Sequence, residues 1–336
     1  MTRELKSMKK VKLSDIAKMA GVSSITVSRA LSTPEKVKAD TCEKIQKIAQ
    51  ELGYIPNLMA KGLKSRSNTI GVIVPTIINP FFASAVKSII RSANKTGYNC
   101  LFFTSDESQK IEQNAVNTLI SYNIDGIIIA VISEDENYTP AYFSTLEKLH
   151  VPVVLLDRHI EAPHICGVYL DNVDSGYKLG KEVLLNNYQR VLIVSGSANS
   201  KVANSRLAGL KMAAEETHSN TIIDVIKADF NTQLAKELVQ DYLSQHKPDA
   251  IIGLNNQITL GALEASVSHH YQLGADIHFY SIDEITTAKH FGISIPCIRH
   301  DVEEFGYHAV TQLIRAIESE QCDKLSDIII RGTVVK

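Results

Sequence analysis

From residue 69 onward, short apolar runs alternate with longer stretches in which apolar positions recur every three or four residues. The runs at 70–74, 98–103, 126–130 and 151–156 are rich in Val, Ile and Leu and have the length of strands buried on both faces. Helical periodicity accompanies them near 80–95, 108–122 and 138–149. A second series has runs at 191–194, 222–226, 250–254 and 277–282, with helical segments near 174–187, 203–217, 231–245 and 257–270. The run 327–330 also reads as strand. Strand–helix alternation predicts right-handed crossovers and parallel sheets covered on both sides. Two such series predict two similar α/β lobes, with a ligand cleft near the C-terminal ends of their strands.

The first part of the chain carries a different pattern. Over 13–20, Ile16, Ala17 and Ala20 share one helical face, and Ser14 or Asp15 can accept the orphan N–H groups at its start. Gly21 permits a left-handed turn, Val22 can plug the angle between two helices, and Ser23 can cap a second helix over 24–31. Val27 and Leu31 fall on the buried side of that helix, while Ile25 and Arg29 share another face beside Ser24 and Ser28. A third helix, 41–52, has Ile45, Ile48, Ala49 and Leu52 on one stripe and stops at Gly53. Three short helices predict a small all-α unit. Small, apolar and hydroxyl residues ahead of one Arg suit a helix entering a major groove, where Arg29 can reach guanine and Ile25 a thymine methyl.

Charge separates that reading from an ordinary three-helix bundle. Residues 1–66 hold 14 Lys and Arg against 6 Asp and Glu, and the rest of the chain holds 21 against 31. A basic end on an acidic body is the asymmetry expected of a polyanion-binding headpiece. No apolar run approaches the ~18–20 residues needed to cross a bilayer, and the basic start is not followed by the apolar segment of a secretion signal, so a cytoplasmic protein is expected. Cys42, Cys100, Cys166, Cys297 and Cys322 are scattered, and His269 and His270 are adjacent. Neither set has the spacing of a disulfide framework or a metal site, and no metal or cofactor is expected.

Loops that follow the strand-like runs hold the polar candidates: Asn79 to Phe82, Asp157 and Arg158, Asn199 to Arg206, Asn255 and Asn256, and Asp283 and Glu284. Asp, Asn and Arg suit the hydroxyls of a sugar-like ligand, and Phe81, Phe82 or Phe230 can cover the C–H face of its ring. Arg158 and Arg206 can neutralise a phosphate or carboxylate, unless Arg158 pairs with Asp157 or Glu161; neutral sugar, phosphosugar and sugar acid all remain open. Catalysis on such a scaffold lacks its usual marks: no glycine-rich phosphate loop follows the first strand, and no G-x-S-x-G elbow is present. A secreted sugar-binding protein would have no use for residues 10–63.

The segments Leu13-Ser14-Asp15-Ile16-Ala17, Ala20-Gly21-Val22-Ser23, Thr26-Val27-Ser28-Arg29-Ala30-Leu31 and Gly53-Tyr54-Ile55-Pro56-Asn57, with Ala60 and Leu63 beyond, resemble the LacI family of bacterial repressors. Arg206-Leu207-Ala208-Gly209, Ala228-Asp229-Phe230, Leu254-Asn255-Asn256 and Ile282-Asp283 extend the resemblance more thinly through the second half. It implies a helix-turn-helix headpiece at 11–55 after an extension at 1–10, a hinge at 56–67, and a periplasmic-binding-protein-like effector and dimerisation domain at 68–336. Ser24, Ile25 and Arg29 fall where the family reads bases. Ser14, Ser23, Thr26, Ser28 and Asn57 fall where it holds phosphates. Ala60 and Leu63 fall in the hinge that wedges into the minor groove. Phe82, Asp157, Arg206, Phe230, Asn255, Asp283 and His300 are the implied effector contacts. The implied partners are a near-palindromic operator in double-stranded DNA, a small sugar-like effector and a second copy of the chain. Three residues depart from the family pattern: Ile25 stands where a polar residue is usual, Asn256 where Asp is common, and His300 is unusual at its position.

Overall fold

The computed structural model describes residues 11–54, 66–134, 138, 140–162, 165–319 and 326–336. Two compact units divide between Ser65 and Arg66. In the first, α1 (Leu13–Ala20), α2 (Ser24–Ser32) and α3 (Ala39–Glu51) close around Ile16, Val27, Ala30 and Ile45, none of which has exposed surface. Asp15, not Ser14, closes the start of α1, its carboxylate accepting the Lys12 N–H at 2.9 Å. Ser23 caps α2 by accepting the Thr26 N–H at 3.1 Å. Gly21 takes φ 73° between the two helices, a left-handed conformation that a Cβ would strain. The Lys44 ammonium donates to the Ala20 carbonyl at 3.0 Å, satisfying the C-terminal end of α1. Sequence reading missed a single 3-10 turn at Pro34–Lys36 and began α3 two residues late.

In the second unit β1 (Thr69–Val74), β2 (Asn99–Thr104), β3 (Gly126–Ile129), β4 (Val153–Leu156) and β5 (Cys166–Leu170) build one lobe. Its helices are α4 (Pro80–Lys95), α5 (Gln109–Ser121) and α6 (Tyr142–Lys148). The other lobe holds β6 (Arg190–Ser195), β7 (Ile222–Lys227), β8 (Ala250–Gly253), β9 (His278–Ile282) and β10 (Cys297–Arg299). Its helices are α7 (Asn172–Leu184), α8 (Lys201–Thr217), α9 (Thr232–Gln245), α10 (Asn256–Ser268) and the short α11 (Thr286–His290). The chain then returns. α12 (Val302–Glu318) packs on α4 of the first lobe, where Ser88 donates to the Glu303 carbonyl at 2.9 Å and Phe305 lies against Phe81. β11 (Ile328–Ile330) joins the first sheet and β12 (Thr333–Val335) the second.

Each sheet therefore has six strands, in the orders β11-β5-β4-β3-β1-β2 and β12-β10-β9-β8-β6-β7, not the four of each expected series. All pairings are parallel except β12 with β10. Three connections link the lobes, at Asp171, at His300 and Asp301, and at Arg331 and Gly332. They are tied to one another: the Asp171 N–H donates to the Ile330 carbonyl at 2.9 Å, and Lys178 donates to the Gly332 carbonyl at 2.9 Å.

Helices α7 and α8 approach backbone to backbone in the second lobe. A Cβ on Gly176 would lie 1.9 Å from the Arg206 carbonyl oxygen, and one on Gly209 would lie 2.0 Å from that of Val173. Ala at position 176 must push α8 aside, and over-packing of this kind costs about 1–3 kcal/mol or more. Gly176→Ala is expected to lower the urea unfolding free energy of the second unit by at least that amount. A loss below about 0.5 kcal/mol, the range of an ordinary surface change, would mean that the two helices separate freely.

Candidate functional site

Two surfaces carry the functional candidates. On the first unit, Ser24, Ile25, Ser28 and Arg29 of α2 are exposed, as are Ser14 and Ser23, while Thr26 is half-buried. Ile25 leaves 65% of its surface in solvent although Val27 and Ala30 on the same helix are fully covered. α2 thus has one face committed to the core and another that presents an apolar side chain beside a guanidinium. Exposed Lys12, Lys18, Lys36, Lys38, Lys44 and Lys47 surround this small unit. Ser23 and Thr26 bond to each other through their hydroxyls at 2.9 Å, so their first task is local. Asn57, Ala60 and Leu63 lie outside the described residues.

On the second unit the C-terminal ends of both sheets face a cleft of about 650 Å³. Asp157 directly follows β4 and Asp283 directly follows β9, with φ of 63° and 70°, while Asp229 and Phe230 follow β7 with φ of 47° and 55°. Short polar side chains tolerate this left-handed region best. Phe82, Asp157, Arg206, Phe230, Asn255 and Asp283 all line the cleft. Phe230 reaches its place because residue 196 is glycine, where a Cβ would come within 2.3 Å of the ring. Asn255 caps α10 by accepting the Ile258 N–H at 3.0 Å.

Hydrogen bonding sorts the charged residues into committed and available. Arg158 grips Glu107 with both amino groups, at 2.6 and 2.8 Å, and also donates to the carbonyls of Val131 and Ile132. Its partner is thus neither Asp157 nor Glu161. Arg206, 4% exposed, donates to Asn172 Oδ1 at 2.8 Å and to the Leu254 carbonyl at 2.5 Å. Asp157 has a buried carboxylate oxygen with no hydrogen-bond partner. Burial pushes its carboxyl above the usual range, against the opposing fields of Arg206 and Arg158. Burial also acts against charge on Asp283, but the hydrogen bond from His300 and the fields of Arg206 and His300 outweigh it and hold that carboxyl low.

His300 is placed differently from the expectation. It does not line the cleft but lies beneath Asp283, bonded to it at 3.2 Å and to Ser175 at 3.0 Å. Conversely, Glu107 and Glu134 line the cleft and were not anticipated. Both lie shortly after strands, β2 and β3, so the strand-end rule applied to those two strands would have found them. Glu134, 7% exposed, accepts the His159 N–H of its own lobe and the Val202 N–H at the start of α8 in the other, each at 3.2 Å. Among the described residues no group of three or more His, Cys, Asp or Glu is placed to hold a metal ion.

Residues 67–332 match the family model of periplasmic binding proteins and the sugar binding domain of the LacI family, and residues 12–57 match that of bacterial regulatory proteins of the lacI family. The chain belongs to the LacI family. It is therefore a helix-turn-helix transcriptional regulator. This LacI-family chain is 26% identical over 304 residues to the transcriptional regulator DegA of Bacillus subtilis, covering 88% of each. It is 26% identical over 334 residues to the transcriptional regulator PtxS of Pseudomonas putida, covering 96% of each. Among solved structures, the lac repressor dimer bound to operator and the anti-inducer ONPF superposes with a TM-score of 0.81 at 25% identity, over 98% of each chain. Among the described residues no helix is long and apolar enough to cross a membrane.

The bridge made by Glu134 has a signature in pH. Burial first, and then the negative field of Asp157, raise its carboxyl above the usual glutamate range. As pH climbs from about 4.3, the unfolded glutamate ionises before the folded one. Stability is therefore lost with rising pH until the folded group titrates, at no more than about 1.4 kcal/mol per pH unit. Glu134→Gln is expected to flatten that part of the pH profile of chemical unfolding. Parallel profiles for the two proteins would show that Glu134 titrates normally in the fold.

Proposed function

We propose that this chain is a homodimeric repressor that reads a near-palindromic operator through α2. Its hold on DNA is set by a neutral, polyhydroxylated ligand of the sugar class in the interlobe cleft. The DNA half of the reading rests on the exposed Ile25 and Arg29 face in a basic unit. Ser24, Ile25 and Arg29 are assigned to base edges, and Ser14, Ser23, Thr26 and Ser28 to phosphates. Asn57, Ala60 and Leu63, in the connection 56–67, are assigned to the phosphate and minor-groove contacts of a hinge.

One observation carries the ligand half: the Arg158 guanidinium, the group best placed to neutralise an anion, is held by both carboxylate oxygens of Glu107. Five carboxylates line the cleft (Glu107, Glu134, Asp157, Asp229 and Asp283) against two guanidiniums, Arg158 and Arg206. A phosphate or sugar acid would face that excess. A neutral polyol would instead donate hydroxyls to Asp157 and Asp283, accept from Arg206 and Asn255, and lay its C–H face on Phe230 or Phe82. Contacts to both lobes let such a ligand bias their closure, and coupling of about 1–3 kcal/mol to DNA binding is typical of such allostery.

Selection of binding duplexes from a randomised pool at physiological salt tests the DNA reading; recovery of a near-palindrome is expected, and salt-sensitive binding without enrichment would remove it. On the enriched duplex, neutral aldoses are expected to shift binding where their phosphate esters and uronic acids do not. A phosphate ester that acts at lower concentration than its neutral parent would overturn the charge argument. Arg29→Ala is expected to cost about 1–3 kcal/mol on the enriched duplex and much less on random DNA. Equal losses on both would assign Arg29 to the phosphates.

A further inference from the structure

His300 stands in the second of the three connections between the lobes, between β10 and α12, with only 1% of its side chain exposed. Its ring reaches all three. Nε2 lies 3.0 Å from the Ser175 hydroxyl, and Ser175 donates to the carbonyl of Asp171 in the first connection at 2.7 Å. Gly332, in the third connection, lies so close that a Cβ there would sit 2.9 Å from Nε2. The other ring nitrogen, Nδ1, lies 3.2 Å from Oδ1 of Asp283, a carboxylate that lines the cleft.

Ser, His and Asp in this order invite comparison with an activated nucleophile, but the placement rules that out. Ser175 has no exposed surface, does not line the cleft, and has its hydroxyl tied to a backbone carbonyl of its own helix start. Ser175 Oγ and Nε2 share a hydrogen bond whose direction follows the ring's tautomer. The Asp283 carboxylate accepts from Nδ1–H. Both ring nitrogens are thus hydrogen-bonded, one toward the cleft and one toward the point where the connections meet.

We infer that His300 is a positioning residue that joins the effector cleft to the interlobe hinge in one hydrogen-bonded unit. It orients Asp283 toward the ligand and pins the three connections in the same act. A ligand hydroxyl that draws on Asp283 changes the hold of the carboxylate on the ring, and the ring passes that change to Ser175 and the crossing chains. The role in the ligand response rests on reading the cleft as the effector site. The tie between Asp283 and the connections does not, and it can be tested without any ligand.

The test uses amide hydrogen exchange in the full-length protein, read over the three connections and over the interiors of both sheets. Asn at position 300 can still donate to Asp283 but is too short for Ser175; Gln reaches Ser175. Loss of one such buried hydrogen bond corresponds to about tenfold in an opening equilibrium. His300→Asn and Ser175→Ala are each expected to speed exchange at the connections by about that factor while the sheet interiors keep their rates. His300→Gln is expected to restore protection there. Asp283→Asn alone should speed exchange at the connections, and should add nothing in the His300→Asn background, because the path is already cut.

Unchanged exchange at the connections in His300→Asn would overturn the inference. So would a uniform rise through both sheets, which marks lost packing, or additive effects of Asp283→Asn and His300→Asn, which mark a path that bypasses the ring. None of these outcomes touches the sugar reading, which stands or falls on the ligand screen.

Discussion

A buried parallel strand has no room for an ionisable side chain along its length, so the polar chemistry of such a sheet collects where the strands stop. In β1, β3, β4, β8 and β9 nearly every residue is buried, and after β4, β8 and β9 a charged or amide residue comes within two positions. Asp157, Asn255 and Asp283 occupy that place, and Asp229 follows the more exposed edge strand β7. Because all strands of each sheet but β12 run the same way, these residues gather on one edge, and the two lobes turn those edges toward a shared cleft. The left-handed backbone of Asp157, Asp229 and Asp283 turns the chain sharply out of each strand, which keeps the carboxylates at the rim of the sheet.

The same constraint explains why two similar carboxylates behave differently. Asp283 has a hydrogen-bonding imidazole beneath it and Arg206 beside it, and its charge is stabilised despite burial. Asp157 keeps one buried oxygen without a partner, and burial dominates. An unsatisfied buried acceptor costs about 1–3 kcal/mol, so a ligand hydroxyl that donates to Asp157 binds there with a corresponding gain. Glu134 adds a third case: its carboxylate accepts the Val202 N–H at the start of α8 and bridges the lobes, yet burial and the field of Asp157 still hold its carboxyl above the usual range. Lobe arrangement and cleft electrostatics are therefore not separable properties here.

How much of this was legible in the sequence follows from how local each signal is. Helix 13–20 and helix 80–95 were placed to the residue, because cap, periodicity and stop all lie within one stretch. β11 falls within the strand-like run 327–330, whereas β10 and β12, also of three residues each, are too short for any pattern to declare. β5 was passed over because Gly167 and Tyr169 interrupt its apolar run. α12 does carry a helical stripe through Phe305, Ala309, Val310 and Leu313, but an expectation of two successive lobes leaves no place for a helix that returns to the first. The pair Arg158 and Glu107 is separated by 51 positions, and only the fold brings those groups together. His300 was expected in the cleft because the family resemblance placed it there with Asp283; the sequence holds no sign that one of the two lies beneath the other.

That the hinge is polar has a physical consequence of its own. Three chains crossing at one level could be held by apolar packing, which is strong but indifferent to direction and yields gradually. Hydrogen bonds among Asp171, Ser175, His300 and Asp283 have narrow geometry, so a small rotation at the connections breaks them instead of stretching them. Buried polar groups also resist intermediate states, since each half-made arrangement leaves a donor or acceptor unpaired in a poor dielectric. A hinge built this way favours discrete arrangements over a continuum, and two discrete arrangements are what a ligand needs in order to shift a population. The polarity that weakens this part of the core is what makes the lobes switchable.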